Sequence, residues 1–186
     1  SIAKIYTESP KLENTLPGES NSILDLYVLA YNDSKQLVNA TKALKQNLST
    51  YLSQYRIIND SVRIKDAFII NIGVDFEIVV LPNFNSNQVL SACLSQLISY
   101  FKVDNMQINQ PILINELYLL LNSVEGVQNV KNVSFNNKVG ESLGYSKYAY
   151  AIEGATQNGV VYPSQDPSIF EVKFPNTDIK GRVVPL

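Results

Sequence analysis

Asp75 and Glu77 come nearest, by type and spacing, to a catalytic pair in this 186-residue sequence. They fall two apart in a run of alternating apolar residues, and alternate side chains of an extended strand share a face, so the carboxyls would sit roughly 7 Å apart. An acid and base of a glycoside hydrolase can use that separation. Such a pair usually needs one carboxyl in an apolar pocket, where burial favours its neutral form. Asn71 and Gly73 would share the face, which points to solvent or a polar interface, so no catalytic residue is assigned. Asp33, Asp60 and Asp66 lie near element ends, where carboxylates commonly accept bonds from turn and cap N–H groups, and no EF-hand-like spacing joins them. Gly140 and Gly144 flank Glu141, Ser142 and Leu143 without the Gly-Lys-Ser/Thr ending of a phosphate loop. Neither a metal nor a cofactor is expected.

The chain contains no histidine. That removes the commonest general base near neutral pH, the Ser-His and Cys-His pairs, and nearly every zinc constellation. The single Cys93 excludes an internal disulfide, and its place on an apolar stripe reads as core. Lys and Arg number 15 against 17 Asp and Glu, a net charge of -2 without a basic stripe, so nucleic acid is not an expected partner. No apolar run approaches the roughly 20 residues that span a bilayer, and no membrane partner is expected. With 45% apolar residues the chain can bury a core in water. Its start at Ser1 and its apolar last residues, Val183 to Leu186, suggest a piece of a longer protein.

Residues 1–22, with Pro10, Pro17 and Gly18, read as an arm from a preceding domain, with a short strand at Ile2 to Thr7. The apolar run Ile23 to Tyr31 reads as a central strand. From Ser34 the period changes: Leu37, Thr41, Leu44, Leu48, Tyr51, Leu52 and Tyr55 predict an amphipathic helix capped by Asp33 or Ser34. Phe68, Ile70, Ile72, Val74, Phe76, Ile78 and Val80 alternate with polar residues and predict a strand of unusual length, with a bulge or bend at Gly73. Ser86 is placed to cap a second helix with the stripe Val89, Leu90, Cys93, Leu94, Leu97, Ile98 and Phe101. Pro111 suits the first turn of a third, carrying Ile114, Leu117, Leu121 and Val124, and Gly126 ends it. Val127 to Phe135 follow as a strand.

The expected fold is α+β: over residues 23–137, a two-layer β-α-β-α-α-β domain with three strands in one sheet and helices on one face. Residues 138–186 concentrate glycine, proline and short apolar runs, and predict a small β-rich subdomain or arm. Its rings, Tyr145, Tyr148, Tyr150, Tyr162, Phe170 and Phe174, either anchor an interface or fill that subdomain's core.

Leu48, Tyr51, Leu52 and Arg56, then Asp60, Val62 and Ile64 leading into Ala67 to Val74, then Val124, Glu125, Gly126, Val127 and Val130, occur in an order and spacing that resemble the C-terminal region of baseplate J-like proteins. These are wedge components of contractile phage tails. The resemblance covers about residues 23–137 and implies a non-catalytic virion protein without cofactor, made in the host cytoplasm. It implies that the chain joins itself, as a homodimer, and other baseplate wedge proteins into a ring around the tail hub. Two rivals remain: a carbohydrate- or receptor-binding module, whose tail tyrosines would lie together on an exposed shelf, and a cell-wall glycosidase built on Asp75 and Glu77.

Overall fold

A computed structural model of the chain describes residues 1–9, 23–55 and 61–186. The fold is α+β, in two compact units, Ser1–Phe68 and Ile69–Leu186.

In the first unit, the short strand expected at Ile2 to Thr7 is present as β1 (Ile2–Glu8), and it pairs antiparallel with β2 (Ile23–Tyr31) as part of the sheet; the rest of the expected arm, 10–22, lies outside the described residues. The unit continues with β3 (Leu37–Asn39), α1 (Lys42–Ser53) and β4 (Ser61–Asp66), and β2 bonds to β3 antiparallel and to β4 parallel. Here the helix expected from Ser34 starts eight residues late. The Asn32 side chain accepts bonds from the Ser34 and Gln36 backbone N–H groups at 3.0 and 2.9 Å, a local turn that competes with helix and folds Leu37 back beside Tyr31. Thr41, rather than Asp33 or Ser34, caps α1 by accepting from Leu44 N at 3.2 Å. Leu44, Leu48 and Leu52, spaced one turn apart, pack on Leu26, Val28 and Ala30 of one face of β2.

The second unit is organised by β5 (Phe68–Val80), which is as long as its alternation predicts. The Asn85 side chain caps α2 (Ser86–Tyr100), accepting from Asn87 N and Gln88 N at 3.0 and 3.2 Å, and the expected stripe holds: Val89, Cys93, Leu97 and the following Phe101 are buried. Pro111 precedes the short β6 (Ile112–Leu113) instead of opening the helix, and α3 (Ile114–Asn122) buries Leu117 and Leu121. Gly126, at φ 92°, makes the left-handed turn after α3; a Cβ there would lie 2.7 Å from Phe84 and Val89. Next come β7 (Val127–Asn137), the one-turn α4 (Ile152–Ala155), and the hairpin β8 (Thr156–Gln157) and β9 (Val160–Val161), closed by Asn158 and Gly159 at φ 51° and 77°. The chain ends with β10 (Ser168–Glu171), the one-turn α5 (Pro175–Asp178) and β11 (Ile179–Val183).

β5 pairs antiparallel with β7 over Ile72 to Val80 and parallel with β11 over Val74 to Ile78, and it also bonds to β10. Two expectations change as a result. The strand at 23–31 belongs to a different sheet from β5, so the three expected strands do not form one sheet. Residues 138–186 also supply two strands to the β5 sheet instead of forming a subdomain, and the chain divides at 68/69 rather than at 22 and 137. The β5–β7 register shifts fall between Glu77 and Ile78 and between Val79 and Val80, not at Gly73. Gly73 serves close approach: a Cβ would sit 2.6 Å from Asn136 Oδ1 and 2.6 Å from Lys138 Cε.

Candidate functional site

Three surfaces place reactive or recognising groups together. The first is the polar face of β5. Register puts Ser134, Asp75 and Lys180 in one row across β7, β5 and β11, and Asn132, Glu77 and Arg182 in the next. These six side chains and the strand beneath them line a depression of about 430 Å³. Both carboxylates are engaged in bonds to neighbouring strands. Asp75 Oδ2 accepts from Asn136 Nδ2 at 2.5 Å, and Glu77 Oε1 accepts from the Arg182 guanidinium, with Nε at 2.9 Å. Acceptors fixed in this way hold three strands in register and set an alternating pattern of charge on the sheet.

Asn71, expected on this partly wet face, is fully buried. Its Nδ2 donates to Glu171 Oε2 at 2.7 Å, and its Oδ1 accepts from Ser146 N at 2.6 Å. Its backbone carbonyl accepts from Lys138 N and from Asn137 Nδ2 at 2.8 and 2.9 Å. Asp178, also buried, accepts from Tyr145 OH at 2.6 Å and Phe174 N at 2.9 Å. These bonds fasten the segment after β7 to the sheet through directional polar contacts.

The second surface holds the aromatic residues of the tail, which separate into pairs instead of forming one shelf. Tyr145 meets Phe174 edge-on at 5.3 Å, and burial together with its bond to Asp178 pushes its phenol up to about 12. Lys147 lies over the Tyr148 ring at 5.5 Å. Phe170 is core and lies 6.1 Å from Tyr150, whose hydroxyl donates to the Tyr162 carbonyl at 2.7 Å and whose pKa burial raises. Of the six rings only Tyr162 is exposed, at 48%. Tyr150 and Tyr162, with Ala155, Gln157, Pro163, Ser164 and Gln165, line an open hollow of about 470 Å³. The sequence signal for this hollow is the Asn158-Gly159 pair, whose left-handed φ values suit the two-residue turn of a hairpin.

The third surface belongs to the first unit. Tyr51 and Tyr55, one turn apart at the end of α1, are 57% and 69% exposed, with ring centroids 5.2 Å apart. On the other face of its sheet, Asp25 accepts from Arg63 Nε at 2.7 Å and from Lys65 Nζ at 2.8 Å, and the Arg63 guanidinium leads in holding its carboxyl below the usual range.

No protein-family model matches the chain, and no curated protein matches it. Of the other carboxylates weighed as ligands, Asp66 bonds Lys45 at 2.5 Å, Asp33 is exposed, and Asp60 lies outside the described residues, as does Arg56. Among the described residues, no three His, Cys, Asp or Glu side chains cluster with the geometry of a metal site. Cys93 is buried against α2's neighbours, and desolvation pushes its thiol up to about 11, away from the reactive thiolate.

Proposed function

We propose that this chain is a structural component of a contractile phage tail baseplate, related to the baseplate J-like proteins, and that it acts by association rather than catalysis. In this reading it joins a second copy of itself and neighbouring wedge proteins in a ring around the hub, within the virion. The carrying observation is the exposed Tyr51–Tyr55 pair, whose rings meet at a tilt of 53°. α1 fully buries none of its residues, yet Tyr51 in its last turn and Tyr55 just beyond it hold two large aromatic rings in water. Rings of this kind anchor interfaces because they desolvate a large area at little cost in side-chain entropy. β1 adds to this: among the described residues its outer edge carries no strand, and Ile5 is 51% exposed beside it.

Sedimentation of the chain across a range of concentrations tests the reading. Self-association should appear, and Tyr51→Ala with Tyr55→Ala should weaken it at least fivefold, the effect of losing about 1 kcal/mol at an anchor. A strict monomer at every concentration would count against the proposal.

A further inference from the structure

We propose that the hollow beside the β8–β9 hairpin is a binding site for a neutral oligosaccharide. It goes beyond the assembly reading and does not depend on it.

The lining carries no charged side chain: two tyrosines, two glutamines, a serine, a proline and an alanine. A phosphate, a nucleic acid or a charged peptide would find nothing there to offset its charge. The hollow, about 470 Å³ and open to solvent, is of a size that a small ligand lying across its mouth would fill.

The polar groups match hydroxyls. A sugar hydroxyl both donates and accepts, and so does a carboxamide. Among the described residues, neither Gln157 nor Gln165 has a side-chain hydrogen bond, and both are exposed at the rim. Ser164 Oγ donates to the Asp166 carbonyl at 2.7 Å, which leaves its lone pairs to accept. The aromatic groups match the apolar face of a pyranose ring. The Tyr150 hydroxyl is spent on the Tyr162 carbonyl, so that ring is locked, while Tyr162 stands half in solvent as a platform.

The frame is held by backbone hydrogen bonds of the chain itself. The Asn158-Gly159 turn closes the hairpin, and β9 bonds to β6 through Ile112↔Val161 and Leu113↔Val160. Ile114 N donates to Gly159 O at 2.8 Å, and Tyr162 N donates to Ala155 O at 3.0 Å, which ties one side of the hollow to the other. A site fixed in this way loses little entropy on binding, and that matters most for the weak, hydroxyl-based contacts a sugar offers.

The test is a titration of the full chain, followed by backbone amide NMR, with gluco-, galacto-, manno- and N-acetylglucosamine oligosaccharides at millimolar concentration. Saturable shifts confined to about residues 150–165 are expected with at least one of them. The affinity should not change between low and high salt, because no charge is involved. Tyr162→Ala should weaken binding about tenfold, the effect of one lost stacking ring. Tyr162→Phe keeps the ring and should bind as the parent does, which separates recognition from folding. Four results would overturn the proposal: no shift with any of these sugars, shifts elsewhere in the chain, undiminished binding by Tyr162→Ala, or binding only of charged saccharides with salt-sensitive affinity.

Discussion

Replacing Asn71 tests whether the polar seam, rather than apolar packing, holds the C-terminal segment on the β5 sheet. In Asn71→Ala the Ser146 N–H and the Glu171 carboxylate each lose a partner within 2.7 Å, at a position where Asn71 itself is fully buried. Each loss costs about 1–3 kcal/mol, so the variant should be about 2–6 kcal/mol less stable. Asn71→Asp keeps the shape but puts a carboxylate where Nδ2 donates to Glu171. Two like charges about 4 Å apart at an effective dielectric of about 20 repel by about 4 kcal/mol. Burial and the neighbouring charge both favour the neutral acid, so the new carboxyl's folded pKa rises above its unfolded value of about 3.9. A group with a raised folded pKa leaves stability intact below its unfolded pKa and loses it as pH rises through the folded one. Asn71→Asp should therefore approach the parent at low pH and fall progressively below it toward neutrality. Hydrogen exchange of the β5 amides reads the free energy of this unit directly. An Asn71→Asp chain as protected as the parent at pH 7, or one that gains on the parent as pH rises, would mean that the polar seam does not hold the segment.

Asp25 gives the opposite pH dependence in the first unit. The Arg63 guanidinium holds its folded pKa below the usual carboxylate range, so its ion pairs contribute above the unfolded pKa and fade as pH falls through the folded one. Arg63 and Lys65 are 50% and 42% exposed, so solvent screens the pairs, and Asp25→Asn should cost only about 1 kcal/mol at neutral pH and less in acid. Carboxyl NMR titration should place the Asp25 midpoint below 3.8. Gly181→Val should loosen β11, because a Cβ at Gly181 meets the buried Phe76 ring. A cost of about 1–3 kcal/mol is expected, read as faster exchange of the β11 amides bonded to β5.

Legibility in the sequence followed the range of the interaction. The alternation of Phe68 to Val80, the stripe of α2 and the stop at Gly126 are local patterns with local causes, and each is present. The helix expected from Ser34 failed because a four-residue turn at Asn32 competes with the first helical turn, and a helical period cannot reveal a side chain that prefers its own backbone. Sheet membership was beyond reach for a different reason. Ile23 to Tyr31 reads as a strand whichever sheet it joins, and the parallel partner of Val74 to Ile78 lies about a hundred residues further along the chain. Asn71 shows the same limit: alternation puts it on the polar face, but only the returning segment covers that position and buries it.

That returning segment also changes where association can occur. In the sequence the six rings of residues 138–186 are open to two readings, anchors for a partner or filling for a core; folded onto β5, the segment spends Phe170 on the core, Tyr145 on Asp178 and Tyr150 on the Tyr162 carbonyl. A ring whose hydroxyl and faces are satisfied within the chain gains little from a partner, so its removal mainly costs stability. Tyr51 and Tyr55 remain more than half exposed and meet chiefly each other. If association drives assembly, its aromatic anchors should therefore lie in the first unit, on the helix that buries least, while Tyr162 stays available for a smaller ligand.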